Sequence, residues 1–141
     1  MQKFKRVTNI FKEENFILRE YYSNTNELKE TGRIKLKVIS KNEIILKVDL
    51  TGKNIPTFVE AVLRLPHKKT CNFAFLTEPL DDANLLSLEI TTKPDQLGNE
   101  ALLYLNKSST SVDLKEDKYI SFKFNSYTNH NRAGEIKISC I

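Results

Sequence analysis

The feature that most constrains this chain is a period of two in its hydrophobic residues. Ile34, Leu36 and Val38 alternate with Lys35 and Lys37. After the polar stretch Ser40-Lys41-Asn42-Glu43, alternation resumes through Ile44, Leu46, Val48 and Leu50. Side chains on a strand point alternately to its two faces, so each run describes a strand with one apolar face. Two such runs joined by a short polar segment predict a hairpin. A three-residue loop, Lys41 to Glu43, sets Val38 opposite Leu46, Leu36 opposite Val48 and Ile34 opposite Leu50. A two-residue loop sets Leu36 against Lys47 and breaks the apolar face, so the longer loop is expected.

The C-terminal part reads the same way. Ile120, Phe122 and Phe124 alternate with Ser121, Lys123 and Asn125, and Ile136, Ile138 and Cys140 alternate with Lys137 and Ser139. The polar stretch Tyr127 to Gly134 separates them, which predicts a second hairpin with Phe122 opposite Ile138 and Lys123 opposite Lys137. Between the hairpins, Cys71–Leu76, Leu85–Thr92 and Ala101–Leu105 read as further strands, and Val112–Leu114 as a strand or turn. Asp95-Gln96-Leu97, after Pro94 and before Gly98, reads as a single helical turn.

Two segments are ambiguous. Thr57–Leu65 has capping-box spacing (Thr57, Glu60) but also alternates through Val59, Ala61, Leu63 and Leu65. Its position between two prolines and its β-branched content favour a strand. Phe4, Val7, Phe11, Leu18 and Tyr21 stand at heptad-like spacing interrupted by Glu14, so the start reads equally as a helix or as a helix followed by a strand over 16–22. Ser23–Gly32 is polar and reads as a loop.

Seven or eight short strands with little helix imply a mainly β protein, a single antiparallel β-sandwich of jelly-roll or Ig-like type, with a short N-terminal helix as an option. No repeat or linker divides the chain, so 1–141 is expected to be one domain, with 1–31 an N-terminal extension. Hydrophobic residues make up 40%, enough for a core. Met1-Gln2-Lys3-Phe4-Lys5-Arg6 is basic but no apolar run follows, so neither a standard signal peptide nor a membrane span is expected. The two cysteines, Cys71 and Cys140, share parity with the apolar residues of their strands. Buried reduced thiols are the expectation and a disulfide the alternative.

Catalytic constellations are not apparent. The two histidines lie in polar turns, His67 beside Lys68 and Lys69, and His130 between Asn129 and Asn131. No serine elbow, phosphate loop or dinucleotide fingerprint occurs, and the expectation is a non-enzyme without cofactor. His67 and Cys71 lack a second ligand pair for zinc. Glu78, Asp81 and Asp82 form an acidic loop around Pro79; with Asn129, His130 and Asn131 they make a further candidate site, for a small ligand or calcium.

Charge supplies the remaining signal. Twenty-two lysines and arginines against 18 acids give a net charge of +4, compatible with an anionic partner. The expected registers set Lys37 against Lys47, Lys123 against Lys137 and Lys35 against Asp49. Like charges facing each other destabilise a sheet, so Lys35, Lys37, Lys47, Lys123 and Lys137 form a candidate basic surface. The competing explanation is that lysines keep sheet edges from aggregating. The leading expectation is a structural or protein-interaction module, a subunit of a homo- or hetero-oligomeric assembly such as a virion, located in the cytoplasm or the virion. Its Asn-, Lys- and Ile-rich composition fits a low-GC bacterium or its virus. The alternative is a nucleic-acid-binding domain using the lysine face. Scattered arginines and the inward parity of Phe122 and Phe124 weigh against that alternative.

Overall fold

The computed structural model describes residues 11–64, 70–77, 86, 88–91, 103–104, 109–113, 119–127 and 131–140. These form a mainly β protein of two antiparallel sheets. In chain order the strands are β1 (Phe16–Tyr22), β2 (Glu27–Glu30), β3 (Ile34–Ser40), β4 (Glu43–Leu50), β5 (Phe58–Arg64), β6 (Thr70–Thr77), β7 (Glu89–Thr91), β8 (Leu103–Tyr104), β9 (Ser109–Asp113), β10 (Tyr119–Asn125) and β11 (Arg132–Cys140). One sheet has the order β2-β1-β5-β10-β7-β8, the other β3-β4-β11-β6-β9.

Among the described residues one hydrophobic cluster draws on both sheets. Ile34, Ile44, Leu46, Val48, Leu50, Ile136 and Ile138 come from the five-stranded sheet; Val59, Ala61, Leu63, Ile90, Ile120, Phe122 and Phe124 come from the six-stranded one. Every one of these positions carries the parity that alternation assigns to the apolar face. Phe11, ahead of β1, is buried in the same cluster and lies 6.1 Å from the Phe16 ring.

The expected strand over 57–65 is β5, and burial on both faces places it inside its sheet, between β1 and β10. The strand over 16–22 is β1, preceded by one 3-10 turn, Glu13–Asn15. Ser23–Gly32 is not a plain loop. Asn26 adopts φ +55° and closes a turn into β2, whose four residues are all exposed. Asparagine tolerates the left-handed region better than most side chains, so the polar stretch holds a hairpin. Cys71–Leu76 falls in β6, while of the other expected segments 89–91, 103–104 and 112–113 are described as strand, the last inside β9, which begins earlier, at Ser109. Residues 95–97 lie outside the described residues.

Both expected registers need correction. β3 and β4 pair, but Ile34 meets Val48, Leu36 meets Leu46 and Val38 meets Ile44. The short turn rejected on sequence grounds is present, because Ser40 pairs with Glu43. An irregularity between Val38 and Ser40 then takes up one residue, Ile39, and restores the facing of apolar on apolar. Lys35 therefore faces Lys47, and Lys37 faces Ile45.

The second hairpin is not formed. β10 pairs with β5 and β7, β11 with β4 and β6, in different sheets. Phe122 thus meets Ala61 and Ile90, not Ile138. All five residues from Ile120 to Phe124 are buried, so β10 needs neighbours on both edges and cover on both faces. Cys140 is also corrected. It is disulfide-bonded, and the only other cysteine in the chain is Cys71, on the adjacent strand β6.

Candidate basic face on the five-stranded sheet

On the face of β3, β4 and β11 turned away from the cluster, side chains fall into rows set by register. One row is Lys35–Lys47–Glu135, the next Lys37–Ile45–Lys137, and the third contains Glu43 and Ser139. Lys35, Lys37 and Lys47 are exposed and Ile45 is half-buried. Together with Leu36 and Glu135 they line a shallow depression of about 310 Å³. Lys137 is partly neutralised, since its Nζ lies 3.3 Å from Glu43 Oε2, which also accepts a 3.3 Å hydrogen bond from Ser139 Oγ.

Asp49 stands beyond the Lys35–Lys47 row. The Thr51 hydroxyl and backbone N–H both donate to Asp49 Oδ1, and these bonds hold its carboxyl below the usual value, with Arg33 and Lys35 adding attraction. Arg33 stiffens this end. Its guanidinium donates to the carbonyls of Asp49 (3.2 Å), Thr51 (2.9 Å) and Lys53 (3.2 Å), bracing a loop that carries Gly52 at φ +93° and Asn54 at φ +57°.

Four of the five predicted lysines, Lys35, Lys37, Lys47 and Lys137, come together here. Lys123 does not. It lies in the other sheet, is 7% exposed, and sits with its Nζ 4.3 Å from the Phe58 ring centroid. Its register neighbours are Glu60 and Glu89, in a row that runs Glu30–Arg19–Glu60–Lys123–Glu89 across five strands with alternating sign. Glu60 is 1% exposed and accepts from Arg19 Nε at 2.5 Å and Ser121 Oγ at 2.8 Å. Asn125 donates to Glu89 Oε2 at 2.6 Å. A basic surface joining Lys123 to Lys137 is therefore excluded by the sheet assignment. A signal for this row was present in the sequence: Glu60 and Lys123 are each a lone charge inside an apolar run, and buried charges require partners.

Glu78, Asp81, Asp82, Asn129, His130 and His67 lie outside the described residues. Asn131 is described as exposed, at φ +56°, in the turn that opens β11. Among the described residues no group of three His, Cys, Asp or Glu side chains is positioned to hold a metal ion, and no helix is long and apolar enough to cross a membrane. Chemically, the face presents the exposed ammonium groups of Lys35, Lys37 and Lys47 around the half-buried Ile45. Comparison of the chain with protein-family models, curated proteins and solved structures returns no match.

Proposed function

We propose that this chain is a non-enzymatic protein-interaction module, a β-sandwich that binds an acidic protein partner within a larger assembly. The hydrophobic cluster shared by the two sheets supports the sandwich, and a chain that changes sheet at most steps after β4 fits jelly-roll wrapping better than Ig-like wrapping. One observation carries the partner's chemistry: Lys35 and Lys47 face each other, with Lys37 beside them, around Ile45 on an exposed face. A cost tolerated in the free protein is removed when carboxylates arrive. The disulfide at Cys140 supports an oxidising location, so a virion or cell-surface assembly is favoured over the cytosol.

The test is titration of the intact protein with polyglutamate, single-stranded oligothymidylate and a DNA duplex, each at low and moderate salt. Polyglutamate is expected to bind in a salt-dependent way, and the double variant K35E/K47E is expected to abolish that binding. Absence of polyglutamate binding at low salt overturns the reading. Tighter binding of either nucleic acid overturns it in favour of a nucleic-acid interface.

A further inference from the structure

We infer that the acidic partner binds as an added β-strand along the outer edge of β3, an inference that rests on the proposed acidic-partner reading and specifies its geometry. β3 ends the order of the five-stranded sheet, and among the described residues it pairs on one side only, with β4. It is seven residues long, whereas β2, the corresponding edge of the other sheet, has four. Long open edges are templates for strand addition.

The backbone hydrogen bonds indicate which groups are offered. Asp49 N donates to Arg33 O at 2.8 Å, which makes that position a hydrogen-bonded pair. Such pairs alternate along an antiparallel ladder. Lys35 and Lys37 therefore bond inward to β4, and the N–H and C=O groups of Ile34, Leu36 and Val38 point out from the edge. The side chains grade in the same direction: Ile34 is buried, Leu36 half-buried and Val38 36% exposed. A strand laid alongside would cover the last two.

Charge selects the occupant. In the six-stranded sheet the charged row, buried at Glu60 and Lys123, alternates in sign across five strands. In the five-stranded sheet the row that starts on the edge strand β3 runs Lys35–Lys47–Glu135, two cations in succession before an anion. Protection of the edge accounts for Lys35 and Lys37, and Lys47 on the interior strand β4 has Glu135 opposite it on β11, so it is on the β3 side of the row that no anion stands in register. An added strand with carboxylates opposite Lys35 and Lys37 would supply the missing anions. Because side chains alternate, the residues between those acids would face Leu36 and Val38, so the partner is an extended segment of alternating acidic and apolar residues. A second copy of this chain is disfavoured, since β3 on β3 would bring lysines against lysines.

The experiment uses the full disulfide-bonded protein and a fluorescent peptide of alternating Glu and Val, with a block-sequence peptide of identical composition as control. The alternating peptide is expected to bind about tenfold more tightly than the block peptide, a gap one or two backbone hydrogen bonds would produce. V38P removes an outward N–H that the β3–β4 ladder does not use, so it is expected to fold and to lose that gap. Amide exchange in the wild type gives a second measure: the Leu36 and Val38 amides are expected to become protected on peptide addition. Equal affinity for the two peptides, unchanged binding by folded V38P, or unchanged exchange at Leu36 and Val38 overturns strand addition. If acidic peptides still bind through Lys35 and Lys47 in those cases, the acidic-partner reading survives alone. If neither peptide binds, that reading fails as well. Self-association through β3, seen as a concentration-dependent dimer that V38P abolishes, also overturns the inference.

Discussion

Replacing Glu60 with leucine tests the buried charge row most directly. The carboxylate is 1% exposed, accepts from Arg19 and Ser121, and stands between Arg19 and Lys123 in register. Removing one member of a buried ion pair costs about 3–5 kcal/mol, because the partner is left uncompensated. Here the lower end applies. The Arg19 side chain is 18% exposed and can turn toward water, and Lys123 keeps the Phe58 ring and its register neighbour Glu89. A loss of about 3 kcal/mol corresponds to a fall in Tm of about 10 °C for a domain of this size. Urea unfolding of E60L, R19L and the double variant gives the coupling. A cycle energy of about 1.5–3 kcal/mol is expected, the double being less destabilised than the sum of the singles. If E60L unfolds within about 0.5 kcal/mol of wild type, or the singles simply add, the row is not an interacting network and the reasoning fails.

Three further outcomes follow from particular contacts. R33A removes a guanidinium bonded to three carbonyls and is expected to cost about 2 kcal/mol, read by urea unfolding, with faster amide exchange confined to residues 49–54. T51V removes the largest cause of the depressed Asp49 carboxyl, so an NMR titration should show that pKa rising toward 3.8. A depressed folded-state pKa gives stability that is present above the unfolded value and lost as pH falls through the folded one. T51V should therefore lessen the acid sensitivity of unfolding below about pH 4. Non-reducing peptide mapping should find Cys140 joined to Cys71 in a monomer, and reduction should cost about 2–5 kcal/mol in urea unfolding. A free thiol at Cys140 would contradict the structure.

Face was legible in the sequence and partnership was not. Alternation assigned Ile34, Leu46, Phe122 and Ile138 to the apolar side, and all but Leu36 and Val38 of the β3–β4 apolar set are buried. Parity survives any even shift, which is why the β3–β4 pairing moved by two residues without exposing the core. Alternation contains no term for which strand lies alongside, so adjacency in the chain stood in for adjacency in space. That substitution worked for β3 and β4 and failed for β10 and β11, whose connection carries the chain from one sheet to the other. Alternation with phenylalanines points Lys123 to the surface, yet on a strand covered on both faces alternation separates two interiors. Lys35, Lys37 and Lys47 were found because they stand on strands with one wet face, where the rule holds. Ile45 and Glu135 were missed, since their importance comes only from lying beside those lysines.

The irregularity at Ile39 fixes the phase of β3 relative to the rest of the sheet. With a two-residue turn alone, every residue from Ile34 to Val38 would be out of step with β4, and Lys35 and Lys37 would point into the cluster. One extra residue corrects this, so the inside and the outside of the strand are separated by a single insertion. Loss of one residue between Ile39 and Glu43 would exchange the two faces, whereas a change of two would leave them in place. Length variation at this tip is therefore constrained to even steps, and the lysine face exists only while that count is kept.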